Sequence, residues 1–139
     1  MLHILLAEDN AGDVVLVEYA LREHHIQYEL RVVKDGAEAI GYISRIGIPD
    51  GVPCPDLMLL DLNLPKIDGA EVIKEFRKHP ACTRTPVIVI SSSDMQKDRA
   101  QTAAFAIACY FRKPSNLDDF LKLGGIVDDL LRENPPDPA

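Results

Sequence analysis

Apolar residues gather in five short runs along the chain: LHILLA (2–7), YELRVV (28–33), DLMLLD (56–61), PVIVIS (86–91) and ACYFR (108–112). The first, third and fourth are nearly unbroken, the pattern of strands covered on both faces of a parallel sheet; the second alternates and is expected at an edge. Between the runs the apolar spacing changes to three or four. Val14, Val17, Leu21 and His24 step along one side of a helix over 13–24, Ala37, Ile40, Tyr42 and Ile43 along another, and Val72, Ile73 and Phe76 form a third such face. Strand and helix alternating five times predict an open α/β sheet with right-handed crossovers. GIPDGVPCP (47–55) is dense in residues that break regular structure and predicts a loop leading into the third strand. The closing ENPPDPA is expected to be frayed, so the folded domain is expected over residues 1–132, with a disordered tail at 133–139.

At 139 residues the chain has the length of one domain able to bury its own core. Its 47% hydrophobic and 27% charged content is that of a globular protein in water, and no apolar stretch approaches the roughly 20 residues of a membrane span. The start, MLHILLAEDN, lacks a basic region and a small-residue cleavage site, so a cytoplasmic location is expected. A net charge of −7 without a Lys/Arg cluster argues against nucleic acid and against an anionic membrane, and leaves a protein as the expected partner. Cys54, Cys82 and Cys109 show neither CxxC nor Cys/His spacing and are expected to be buried or surface thiols.

The polar residues that interrupt this pattern fall at the carboxyl ends of the expected strands, where open α/β sheets collect functional groups. Glu8 and Asp9 end the first, Asp61 the third and Ser91 the fourth, and Lys113-Pro114 follows the fifth. Three carboxylates brought together repel one another, and a divalent cation would resolve the conflict; hard oxygen ligands suit Mg²⁺, with Asp9 and Asp61 as direct ligands. Lys113 could then hold a phosphoryl oxygen while Asp61 attacks phosphorus.

In LLAEDN, DLNLPKIDG, VIVISSS and YFRKP, in this order and at these spacings, the chain resembles a response-regulator receiver domain, the phosphoacceptor module of two-component signalling, from about His3 to Leu131. The LAEDN…GD start and the loop before PDLMLLDLNLPKIDG look most like the stand-alone regulators, without an output domain, that pair with phytochrome-type kinases. The resemblance implies a flavodoxin-like (βα)5 doubly wound sheet of order 2-1-3-4-5. It implies that Asp61 accepts a phosphoryl group from a kinase histidine, that Asp9 and the Asn63 main-chain carbonyl bind Mg²⁺, and that Glu8 acts through water. Lys113 would bind the phosphoryl group, Ser91 would be the switch hydroxyl and Tyr110 the aromatic residue that turns inward, with slow self-catalysed hydrolysis ending the signal. It further implies a cis Lys113-Pro114 junction and places Asn63 and Ser93 where dephosphorylation is tuned. Ser91 and Ser92 depart from the commoner residues at their positions, and Gly124-Gly125 would cost the last helix about 1 kcal/mol per glycine.

Several residues have plainer readings. Asp68 is expected to cap the third helix and Asp13 the first, and His3, His24, His25 and His79 are too scattered to be ligands or bases. In the last helix Leu117, Phe120, Leu121 and Val127 make one apolar face and Leu123, Ile126 and Leu130 a second, which suggests a homodimer or kinase contact through residues 95–131. A downstream protein, either a target or a phosphotransfer protein, would receive the signal. Three other readings compete: a flavodoxin-like electron carrier, disfavoured because EDNAGD is acidic where a phosphate cradle would lie; an aspartyl hydrolase, disfavoured because Asn63 stands where a second acid is usual; and a degenerate receiver used only for binding.

Overall fold

The computed structural model describes residues 2–91 and 95–133. Five strands, β1 (Leu2–Ala7), β2 (Tyr28–Val33), β3 (Leu57–Asp61), β4 (Val87–Ser91) and β5 (Cys109–Arg112), form one parallel sheet in the order β2-β1-β3-β4-β5. They alternate with α1 (Ala11–Glu23), α2 (Gly36–Ser44), α3 (Gly69–Lys78), α4 (Met95–Thr102) and α5 (Leu117–Glu133). This is the flavodoxin-like order, and β2 lies at the edge where its alternation predicts it. The expected runs match the strands to within one residue.

Both faces of the sheet are covered, which is why β1, β3 and β4 are apolar almost throughout. Ile4, Leu6, Leu57, Leu59, Ile88 and Ile90 point toward α1 and α5, packing on Val17, Leu21, Phe120, Leu123 and Val127. Leu5, Ala7, Met58, Leu60, Val87 and Val89 point the other way, onto Ala39, Ile43, Val72, Ile73 and Phe76. In α2 the buried side runs through Gly36, Ala39 and Ile43, and Ala37, expected on it, faces solvent.

Four local expectations are corrected. Asn10, not Asp13, caps α1: its Oδ1 accepts the Asp13 N–H at 3.0 Å, which places Asp13 inside the first turn with its carboxylate free to reach elsewhere. Cys54 and Cys82 are joined as a disulfide with a Cα–Cα distance of 5.8 Å, and Cys109 alone is a free thiol. The loop before β3 and the 3-10 turn at Pro80–Cys82 meet in space though 28 residues apart in sequence, a closeness that cysteine spacing does not signal. No peptide bond among the described residues is cis, so Lys113-Pro114 takes the trans form that X–Pro bonds favour by about 0.5–1 kcal/mol. The fourth concerns the last helix: its buried apolar stripe takes Phe120 and Val127 from one expected face and Leu123 from the other and adds Leu131, which neither included, and of the residues on the two expected faces only Leu117 is well exposed. Asp68 caps α3 as expected, accepting the Ala70 N–H at 2.9 Å. Residues 134–139, Ser92 and Ser93 lie outside the described residues, and with them the expectations placed there.

Arg77 ties three segments together. Its half-buried guanidinium, with a pKa lowered by burial, donates to the carbonyls of Phe105 at 2.9 Å, Cys82 at 2.8 Å, Thr85 at 2.8 Å and Ala106 at 3.2 Å. The last turn of α3 is thereby fastened to the segment before β4 and to the connection between α4 and β5.

Gly124 has a packing role that its helix propensity conceals. A Cβ there would lie 2.3 Å from the Ala20 carbonyl oxygen of α1, so the glycine allows two helix backbones to approach one another; at Gly125 a Cβ would meet only the His24 ring, at 3.4 Å. Gly124→Ala is therefore expected to destabilise the fold by about 2 kcal/mol in urea denaturation through overpacking. Gly125→Ala is expected to be neutral or to stabilise it by up to about 1 kcal/mol. Equal effects at the two positions would contradict this account of the α1–α5 contact.

Candidate functional site

Because all five strands are parallel, their carboxyl ends share one edge, and the register brings particular residues level. Ala7 pairs with Leu60, Asp61 with Ile90, and Ser91 with Arg112. The chain leaves β1 for β2 on one side and returns to β3 on the other, so the strand order reverses between β1 and β3, where such sheets form their crevice. Glu8 and Asp9 follow β1 there, and Asp61 is the last residue of β3.

The loop after Asp61 is held close by several contacts. A Cβ on Gly69 would come within 2.7 Å of the Leu62 Cα, so only glycine lets α3 start against the end of β3. The Pro65 carbonyl accepts the Gly36 N–H at 3.0 Å, and Lys66, in the left-handed region at φ 73°, reaches Asp35 at 3.3 Å. The β3–α3 loop is thus fastened to the start of α2.

Asp61 is buried with both oxygens engaged. Oδ1 accepts the Asn63 N–H at 2.9 Å, and Oδ2 accepts from Lys113 Nζ at 3.0 Å. Lys113 Nζ also lies 2.7 Å from Glu8 Oε1 and 2.8 Å from Asp13 Oδ2. Asp13, read from the sequence as a cap, is therefore a member of the site; its position in the first turn of α1 carried no signal of that. Oxygens of Glu8, Asp9 and Asp61 all lie within 4.8 Å of one another, with Glu8 and Asp61 buried and Asp9 exposed. The expectation that residues 8, 9, 61 and 113 share one cleft is met.

The electrostatics follow from one ammonium shared by three carboxylates, Glu8, Asp13 and Asp61, with Asp9 close to two of them. Burial pushes the Lys113 ammonium toward neutrality, but the hydrogen bonds to Asp13, Glu8 and Asp61 together outweigh it and raise its pKa. Glu8 shifts upward as well, to about 7 from 4.5, which a simple ion pair with Lys113 would not produce. Burial is the largest cause; the Lys113 contact opposes it, and the Asp61 charge adds to it. The two shifts are compatible because Lys113 is shared among several acids, and the least solvated of them retains a proton. An arrangement of hard oxygen donors with uncompensated negative charge fits an oxygen-liganded divalent cation.

Ser91 and Tyr110 lie on the same side of the site but neither hydroxyl faces the acids. The buried Ser91 Oγ donates to Asp98 Oδ2 of α4, and the half-buried Tyr110 hydroxyl is 2.6 Å from Thr102 Oγ1 of the same helix. Asp98 and Thr102 escaped the sequence reading because α4 has no apolar stripe to mark its inward face; their spacing of four is the signal that could have found them.

Fold, edge and residue set define a phosphoacceptor module of two-component signalling. Residues 4–123 match the response regulator receiver domain family, and the chain belongs to it. It is 36% identical over 136 residues to response regulator Rcp1 of Synechocystis sp., covering 98% of this chain and 92% of that one. Among solved structures it is similar to the phosphorylated cyanobacterial phytochrome response regulator RcpA, at 34% identity, a TM-score of 0.83 and 99% coverage of both chains. The Mn²⁺-bound form of response regulator Rcp1 gives the same identity and TM-score over 100% of both chains. The electron-carrier and hydrolase readings are set aside accordingly.

The raised Glu8 pKa predicts how stability changes with pH when no divalent cation is present. Between about pH 4.5 and 7 the folded protein holds a proton on Glu8 that the unfolded chain has released, so stability falls as pH rises through this window and levels off above it. The full shift corresponds to an upper bound of about 3 kcal/mol. Urea denaturation of the wild type and of Glu8→Gln at several pH values should show this decline in the wild type only; an equal decline in both would remove Glu8 as its source.

Proposed function

We propose that the protein is a response regulator in which Asp61 accepts a phosphoryl group from a sensor histidine kinase. The observation that carries the reading is the environment of Asp61: a carboxylate at the strand-order reversal, gripped by Asn63 N–H and Lys113 Nζ and crowded by Glu8 and Asp9. In the transfer an Asp61 oxygen forms a bond to phosphorus while the bond from phosphorus to the histidine nitrogen breaks, and its electron pair stays with the imidazole. Lys113 moves from its carboxylates to a phosphoryl oxygen, offering compact charge where negative charge accumulates.

Asp9 and Asp61, with the Asn63 main-chain carbonyl, would hold Mg²⁺, and Glu8 would act through water. When bound, the ion would neutralise the acids and screen the incoming phosphoryl group. Self-catalysed hydrolysis of the acyl phosphate, a cytoplasmic setting and the switching roles of Ser91 and Tyr110 belong to the same proposal. The similarity to phytochrome response regulators supports a phytochrome-type kinase as the donor, with a downstream protein or phosphotransfer protein as the receiver of the signal.

Two measurements test this reading. Incubation with Mg²⁺ and acetyl phosphate should add one phosphoryl group by intact mass, and the addition should vanish in Asp61→Asn; addition to the variant would place the acceptor elsewhere. Self-association through residues 95–131 is also proposed, on the exposed Leu117 and the half-buried Leu121, Ile126 and Leu130. Sedimentation velocity with and without an acyl-phosphate mimic should show a dimer in at least the second condition, and a monomer in both removes it.

A further inference from the structure

α4 is short and largely polar, yet its buried residues are Asp98 and Thr102. Burying a carboxylate is costly unless a partner holds it. Here the partner is Ser91, whose Oγ donates to Asp98 Oδ2. One turn further on, the Thr102 hydroxyl donates to the Asp98 main-chain carbonyl at 2.7 Å and lies 2.6 Å from the Tyr110 hydroxyl, while the Arg99 guanidinium sits 4.6 Å from the centre of the Tyr110 ring. Both residues assigned to the switch are therefore fastened to α4, one through the side chain of Asp98 and the other through Thr102.

A serine hydroxyl has one proton to donate. It cannot satisfy Asp98 and a phosphoryl oxygen on Asp61 at once, and when it leaves Asp98 a buried carboxylate loses its donor. Resting on the receiver reading, we propose that Asp98 is a positioning residue: it holds the Ser91 hydroxyl on α4, competes for it with the phosphoryl group, and so sets how readily the loaded site switches. A binding-competent arrangement that must first break the Ser91–Asp98 bond lowers apparent affinity by the fraction of molecules in which that bond is open. Removing Asp98 lifts that requirement.

The test uses beryllofluoride with Mg²⁺ as a phosphoryl mimic, titrated calorimetrically into the wild type, Asp98→Ala, Asp98→Asn, Ser91→Ala and the Asp98→Ala/Ser91→Ala double variant, with thermal melts confirming that each is folded. Asp98→Ala should bind about tenfold more tightly than the wild type, in keeping with the loss of a hydrogen bond to a charged group. Asp98→Asn, a weaker acceptor of the same shape, should fall between them and carries the test if Asp98→Ala does not fold. The double variant should bind no more tightly than Ser91→Ala, a result that general loosening of α4 would not give. Unchanged or weaker binding in folded Asp98 variants, or a gain that survives without the Ser91 hydroxyl, overturns the inference alone. No binding by the wild type overturns the proposed phosphoacceptor role of Asp61 and this inference together.

Discussion

The ammonium of Lys113 sits among carboxylates from three parts of the chain: Glu8 beyond β1, Asp13 in the first turn of α1 and Asp61 at the end of β3. Its charge offsets the repulsion among these acids, which grows as water is excluded from the site. The sheet supplies the rigidity that the arrangement needs. β1, β3 and β4 are hydrogen-bonded in fixed register and packed on both faces, so the positions of Glu8, Asp61 and Ser91 follow from the backbone rather than from side-chain adjustment. The compensation is nevertheless incomplete: Glu8 retains a proton up to about pH 7, and this same deficit of positive charge is what makes the site receptive to a divalent cation.

Most of the architecture was legible in the chain because it rests on periodicity. Continuous apolar runs marked the strands covered on both sides, alternation marked the edge strand, and parallel strands then dictated that the polar residues ending each run share one edge. What periodicity does not record was missed. The Cys54–Cys82 pairing depends on two loops meeting across 28 residues. The value of Gly124 lies in the nearness of the Ala20 carbonyl, a tertiary fact that outweighs the local cost of glycine in a helix.

The site shows the same division. Glu8, Asp9, Asp61 and Lys113 were legible because each stands at the end of a strand. Asp13 was misread because an acid near a helix start is ordinarily a cap; Asn10 took that place and freed the Asp13 carboxylate for Lys113. Asp98 and Thr102 were missed because α4 buries polar side chains instead of apolar ones, so a helix that looks like a solvated surface element is in fact attached to Ser91 and Tyr110.

Arg77 bears on how such an attachment can be released. Its guanidinium donates to the carbonyls of Phe105 and Ala106 just beyond α4, and pulling that segment away would break two hydrogen bonds from a charged donor. The segment that follows α4 is therefore moored to α3, while the middle of α4 is fastened to the end of β4 through Asp98 and Ser91. Should Ser91 release Asp98 as proposed, the arginine's grip beyond the helix would be the pivot about which α4 turns.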